Sequence, residues 1–161
     1  MIKILISLFA LSLSTICYAS SMLGRLGIGM TNHLVTEQSA LSLKIQRNRS
    51  TALGGHFALD SNDDGVEYAL GLKGYKLIYE EPQLNFYSAL SVTYLSYLND
   101  EDESKTGYQV DGTFGAEFSF QGLESIGFSF EFGAGLYNYD ENTHIQTVGH
   151  NMIASAVHFY L

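Results

Sequence analysis

The feature that most constrains this chain is an alternation of apolar residues with small or polar ones, which recurs from Arg25 to the end of the sequence. It is clearest at 126–132, where isoleucine and phenylalanine occupy every second position and glycine, serine and glutamate fill the others. A period of two is that of a β-strand, whose successive side chains point to opposite faces. The pattern predicts eight antiparallel strands, at 25–31, 41–46, 53–59, 67–73, 86–94, 108–120, 126–136 and 153–161.

The first 19 residues differ from the rest of the chain. Lys3 gives a cationic start, residues 4–16 are almost all apolar, and Ala19 ends a short stretch that suits signal peptidase. The apolar run is shorter than the roughly 20 residues that a membrane-spanning helix needs. We therefore expect 1–19 to be a cleaved signal peptide and 20–161 to form one domain, since 161 residues is the size of a single domain.

After residue 20 no stretch is apolar enough to form a membrane helix. An exported chain of this kind can still cross a membrane as a closed barrel, because closure pairs every backbone N–H and C=O. Eight is an even number of strands, as a bacterial barrel requires. The fold we expect is an all-β, closed, antiparallel, up-and-down transmembrane β-barrel in the bacterial outer membrane.

One row of each alternation is strongly apolar, and the other consists mainly of glycine, alanine and serine with a few charges. Small residues with sparse charges suit the narrow interior of an eight-stranded barrel, so we expect the apolar row to face lipid. Buried charges need partners, which predicts a polar, plugged lumen without a sizeable pore. The charge network expected there comprises Arg25, Lys44, Glu67, Lys73, Asp111, Glu117 and Glu131.

Charge and cysteine content argue against a nucleic-acid-binding protein and against a fold held by disulfides. The formal net charge of −9 argues against nucleic-acid binding, which needs cationic surfaces. Cys17 is the only cysteine and lies in the expected signal peptide, so no disulfide is expected in the mature chain. No motif indicates a cofactor.

Residues 118–133, with the sequence FSFQGLESIGFSFEFG, read as strand, tight turn and strand, and the chain ends on VHFYL at 157–161. In these segments and in its overall pattern, 21–161 resembles small outer-membrane barrels such as the OmpX-like proteins and the transmembrane domain of OmpA-like proteins. The resemblance implies contact with outer-membrane lipid and lipopolysaccharide, and recognition by the barrel assembly machinery through Val157, Phe159 and Leu161. Members of these families usually end on an aromatic residue, whereas this chain ends on Leu161.

Several polar groups are candidate sites. Residues 60–65 begin like a calcium loop, but Gly71 stands where the bidentate glutamate should be, so we interpret them as an acidic surface loop. Residues 100–103 are all acidic and predict a solvated loop, or a place where divalent ions bridge to lipopolysaccharide. His33 and His144 lie on connections that closure brings near each other, but without a third ligand no metal site is expected.

His56 and His158 fall on the predicted inner face, where hydrogen-bonded structural histidines are expected. His150 and Ser155 have opposite parities, so a catalytic Ser–His pair is not expected from them. We expect a non-enzymatic outer-membrane barrel with a structural role or with acidic extracellular loops that contact a surface partner. Two alternatives remain open: a secreted soluble barrel that binds a small apolar ligand, and a lipid-modifying barrel enzyme.

Overall fold

The fold is that of a computed structural model, which describes residues 23–61, 65–98, 104–139, 142–148 and 153–161. Its strands are β1 (Leu26–Thr31), β2 (Ala40–Asn48), β3 (Thr51–Ser61), β4 (Val66–Glu81), β5 (Leu84–Leu98), β6 (Ser104–Phe120), β7 (Leu123–Tyr139), β8 (Asn142–Thr147) and β9 (Ala154–Tyr160). Within the described residues no helix is long and apolar enough to span a membrane. The expected signal peptide, 1–19, lies outside the described residues.

Eight strands close into an antiparallel barrel, which confirms that part of the prediction. Each of β1 to β7 pairs with the next strand in sequence, and β9 closes the ring by pairing with both β7 and β1. Starting from Met30 and following paired residues through β2 to β5 leads to Tyr108, whereas the route through β9 and β7 leads to Phe118. This stagger of ten residues on β6 reflects the strand tilt that closure requires.

The ninth strand corrects one sequence prediction. The predicted strands leave 137–152 as a connection, yet Asn142–Thr147 within it forms β8. The strand β7 is long enough to pair with β9 over Ile126–Glu131 and then with β8 over Ala134–Tyr139. Every β8 side chain is exposed, so its two faces do not differ in burial as those of a barrel strand do.

The two ends of the barrel differ. At one end, which we call the tight-turn end, two-residue turns at 49–50, 82–83 and 121–122 join successive strands, and β1 begins and β9 ends there. Gly122 has φ of 84° in the last of these turns, a conformation that glycine adopts without strain. At the opposite end, which we call the loop end, β1, β3, β5 and β7 finish and β2, β4, β6 and β8 begin.

The apolar row lies outside and the small and polar row lies inside. The outward residues form what we call the apolar belt, a band of exposed hydrophobic side chains around the barrel: Leu26, Ile28, Met30, Leu41, Leu43, Ile45, Leu53, Phe57, Leu59, Leu70, Leu72, Ile78, Phe86, Leu90, Val92, Phe114, Phe130, Phe132, Leu136 and Phe159. Leu72 is 75% exposed and Phe132 is 62% exposed, whereas Lys73 and Glu131, beside them in sequence, are 6% and 5% exposed. The parity of a residue in its strand therefore decides its surroundings.

Candidate functional site in the barrel interior

Two ion pairs cross the interior. Lys44 on β2 contacts Glu117 on β6 with 2.7 Å between Nζ and Oε2, and Lys73 on β4 contacts Glu131 on β7 with 2.6 Å between the same atoms. All four side chains are buried. Each pair joins strands that are not neighbours in the ring, so the pairs tie opposite walls of the barrel together.

Hydroxyl groups satisfy the remaining carboxylate oxygens. Tyr87 donates to Oε1 of Glu131 at 2.9 Å, and Thr113 donates to its Oε2 at 2.9 Å. Tyr160 donates to Oε1 of Glu117. A buried carboxylate needs such a set of donors to offset the loss of hydration, and both glutamates have one.

The lysine ammonium groups also lie over aromatic rings. Nζ of Lys44 is 4.6 Å from the ring centroid of Tyr75 and 5.0 Å from that of Tyr87, and Nζ of Lys73 is 5.4 Å from that of Tyr75. At these distances the negative face of the ring stabilises the cation. The tight-turn half of the interior is therefore a packed network of charges and tyrosines.

Asp111 is buried but takes neutral partners. Ser91 donates to its Oδ2 at 2.9 Å, and the side-chain amide of Gln109 donates to the same oxygen at 2.6 Å. The sequence predicted that Asp111 would help to neutralise a lysine. Its direct partners are instead a hydroxyl and an amide.

Arg25 and Glu67 are not brought into the network, although the sequence placed them there. Arg25 lies at the tight-turn end and donates to the backbone carbonyl of Tyr160. Glu67 lies at the loop end, where its carboxylate accepts from the Gln38 side chain at 2.8 Å and from the Leu98 backbone N–H at 2.9 Å. The parity of a residue in its strand assigns it to a face of the barrel but not to a depth along the barrel axis. The sequence therefore did not separate Arg25 and Glu67, near the two ends, from the charges at the centre.

The lumen histidines are confirmed as buried and hydrogen-bonded. Nε2 of His56 is 2.7 Å from Oγ1 of Thr93, and Nε2 of His158 is 2.9 Å from Oγ of Ser42. Ser42 and His158 thus have the spacing of a nucleophile and its base. However, they are 5% and 1% exposed, and Nδ1 of His158 has no hydrogen-bond partner that would orient the ring. This geometry favours a structural contact.

The connection between β1 and β2, residues 32–39, folds into the loop end, and we call it the plug. Leu34 is buried in an apolar cluster with alanines from β2, β3 and β4 and with Leu95 and Tyr97 of β5. Gln109 holds the plug backbone from both sides, because its Oε1 accepts from the N–H of Val35 at 2.9 Å and its Nε2 donates to the carbonyl of His33 at 3.0 Å. The plug is therefore anchored by the apolar contacts of Leu34 and by the hydrogen bonds of its backbone to Gln109.

His33 turns from the plug into the interior. Its Nδ1 is 3.1 Å from Oγ1 of Thr31, its ring meets that of His56 edge to face at 4.4 Å, and its Nε2 has no hydrogen-bond partner. Burial lowers the pKa of His33 well below its ordinary value of 6.5, and the nearby Lys73 and His56 lower it further. His144, which was expected near His33, is exposed on β8 opposite Tyr137.

Two small cavities border these groups. One of about 10 Å³ lies beside Lys44 and Glu117, and one of about 30 Å³ lies between the plug, Tyr137 and β8. The first has about the space of one water molecule. Neither has room for an organic ligand, since small-molecule pockets are typically about 300–1,000 Å³.

The other candidate residues from the sequence do not belong to the interior network. Asp60 is exposed at the end of β3, but residues 62–64 of the proposed calcium loop, the acidic run 100–103 and His150 lie outside the described residues. Among the described residues no three His, Cys, Asp or Glu side chains are placed to hold a metal ion. Val157, Phe159 and Leu161 follow the outward parity of β9, and the last two are exposed.

Sequence reasoning missed the plug and the role of Gln109. Two signals pointed to them: Leu34 and Val35 are adjacent apolar residues in an otherwise polar connection, and Gln109 has inward parity. Comparisons with protein-family models, with curated proteins and with solved structures gave no match to this chain.

Proposed function

We propose that this chain is a bacterial outer-membrane barrel of OmpX-like or OmpA-like type, with a structural or surface-binding role and no enzymatic activity. Its tight-turn end would face the periplasm, and its loop end would display acidic segments outside the cell. Residues 1–19 would direct export and would be cleaved as a signal peptide. Val157, Phe159 and Leu161 would act as the signal for the barrel assembly machinery.

The observation that carries the proposal is the inverted distribution of polarity. Leu72 and Phe132 are among some twenty large apolar side chains exposed around the barrel, while Lys73 and Glu131 are buried inside it. Soluble monomers rarely expose a contiguous apolar patch of more than a few hundred Å². A lipid surround removes the cost of exposing the apolar belt, and the paired interior charges suit the polar lumen of a membrane barrel.

The packed interior favours this role over the alternatives. A soluble ligand-binding barrel needs an apolar cavity, whereas this interior holds two ion pairs and small cavities. A lipid-modifying enzyme needs a reactive group that reaches the acyl chain, whereas Ser42 and His158 are buried inside. The same packing supports a plugged barrel rather than a pore.

The proposal is tested with a charge placed on the belt. Leu72→Arg should destabilise the membrane-inserted barrel by up to about 2–4 kcal/mol, the range for arginine facing lipid at mid-depth. Gln121→Arg is the control, because Gln121 is exposed in the turn between β6 and β7, outside the apolar belt. The measurement is the yield of heat-modifiable protein, which migrates differently with and without boiling, in the outer-membrane fraction.

Loss of this form in Leu72→Arg, with retention in Gln121→Arg, is the expected result. On a soluble barrel both substitutions are exposed and should change stability by no more than about 0.5 kcal/mol. Equal behaviour of the two variants, together with recovery of the wild type as a soluble protein, would refute the membrane location.

A further inference from the structure

Lys76 occupies an unusual place on the outer surface. It is exposed on β4, between Leu72 and Ile78, which follow the same outward parity and are exposed. Within the described strands, Lys76 is the single charged side chain with exposed apolar residues on both sides of it along the same face of its strand. A lysine at such a position is unfavourable unless its ammonium group reaches a polar or anionic partner.

Two arginines lie beside it at the tight-turn end. Arg47 is exposed at the β-bulge of β2, Arg49 is exposed in the following turn, and Thr51, the first residue of β3, pairs with Lys76. We call Arg47, Arg49 and Lys76 the basic rim. The turn at 49–50, which includes Arg49, is held by Asn48, whose Oδ1 accepts hydrogen bonds from the backbone N–H groups of Ser50 and Thr51 at 2.9 Å each.

The basic rim lacks a protein counter-charge. In the part of the chain that the structure describes, none of its three members forms an ion pair. The exposed acids nearest along β4, Glu80 and Glu81, follow Lys76 by four and five residues, where the strand ends at the tight-turn end. Three exposed cations therefore face the boundary between the apolar belt and water.

Charge is distributed oppositely at the loop end. Glu37, Asp60 and Glu67 lie there, and the connection between β5 and β6 includes the acidic run 100–103. Such an end repels anionic lipid, whereas the basic rim attracts it. Among the described residues, the basic rim thus gives the tight-turn end exposed cations that the loop end lacks.

We propose that the basic rim binds the phosphate headgroup of an anionic glycerophospholipid in the leaflet at the tight-turn end. The inference rests on the proposed membrane location. In this proposal the ammonium group of Lys76 and the guanidinium groups of Arg47 and Arg49 bind the same phosphate region, because the pairing of Thr51 with Lys76 places the β2–β3 turn beside β4. Leu53 and Leu72, on the adjacent outer faces of β3 and β4, offer the apolar surface along which the acyl chains lie.

The test uses full-length mature protein refolded into phosphatidylcholine vesicles with a trace of spin-labelled phosphatidylglycerol or, separately, spin-labelled phosphatidylcholine. The motionally restricted fraction of each label gives their relative association constants. Wild type should prefer phosphatidylglycerol, and Lys76→Gln should lower this preference about five-fold, which corresponds to ~1 kcal/mol per basic residue near a membrane surface. Replacing all three basic residues by glutamine should abolish the preference.

Lys105→Gln controls for the loss of one positive charge, because it removes that charge at the loop end and on the inward parity of β6. It should leave the preference unchanged, and Lys76→Arg should retain it. If wild type shows no preference, or if Lys105→Gln lowers it as much as Lys76→Gln, the lipid site is refuted. The boiling-dependent shift in mobility of the same samples reports insertion separately, so its absence would count against the membrane location itself.

Discussion

Replacing Glu131 by leucine tests the interior network most directly. The substitution removes the partner of Lys73 and leaves the ammonium group buried. It also deprives the hydroxyls of Tyr87 and Thr113 of their acceptor. Breaking a buried pair by removing one partner costs about 3–5 kcal/mol, and each unsatisfied buried donor costs about 1–3 kcal/mol. Some relaxation around a leucine is expected, so we predict a loss of about 3–5 kcal/mol in the free energy of unfolding.

The assay is urea unfolding of protein folded in vesicles, followed by the heat-modifiable band. Glu80→Leu is the control, because this glutamate is exposed at the end of β4 and its replacement should change stability by no more than about 0.5 kcal/mol. Adding Lys73→Met to Glu131→Leu should restore much of the loss, since an apolar pair can replace a buried ion pair at little cost. An unchanged unfolding midpoint in Glu131→Leu would refute the network as a source of stability.

Three further predictions concern the plug and the barrel closure. The lowered pKa of His33 means that its stabilising contribution is present above pH 6.5 and is lost as the pH falls. The amide protection factors of 32–39, which correct for the slower intrinsic exchange in acid, should therefore fall with the pH; protection factors that stay constant would contradict this. Gln109→Ala should lower the local stability of the same segment by about 1–3 kcal/mol without loss of the heat-modifiable band, as measured by exchange at fixed pH. Gly29→Ala should lower the urea midpoint because its Cβ would lie 1.7 Å from a β9 carbonyl oxygen, whereas Gly74→Ala, with nothing within 4 Å, should not.

The barrel strands could be predicted because in each strand apolar residues alternate with small or polar ones, as the two different faces of the strand require. At 126–132, phenylalanine points outward and glycine, serine or glutamate points inward, and no tertiary information is needed to see the difference. The same parity predicted that Lys44, Lys73, Glu117 and Glu131 face inward. It could not say which lysine meets which glutamate, because that depends on the stagger of the closed ring.

The plug and β8 could not be predicted from the alternation of residues. The strand β8 exposes both of its faces, so it has no period of two in burial and exists through its pairing with β7. The plug is irregular, and its placement depends on Gln109, far away in sequence. Contacts of this kind depend on tertiary placement and leave little local pattern.

The ladder between β1 and β9 has a consequence for how the molecule forms. It contains five residue pairs, against fifteen between β5 and β6, and it joins Thr31 to Ala156 near opposite ends of the described chain. Hairpins between successive strands close short loops, whereas this ladder must overcome the entropy of closing nearly the whole chain. We therefore expect it to form last and to separate first. Until it does form, β1 and β9 present unpaired edges to other chains, so assembly is most vulnerable to aggregation just before the ring is complete.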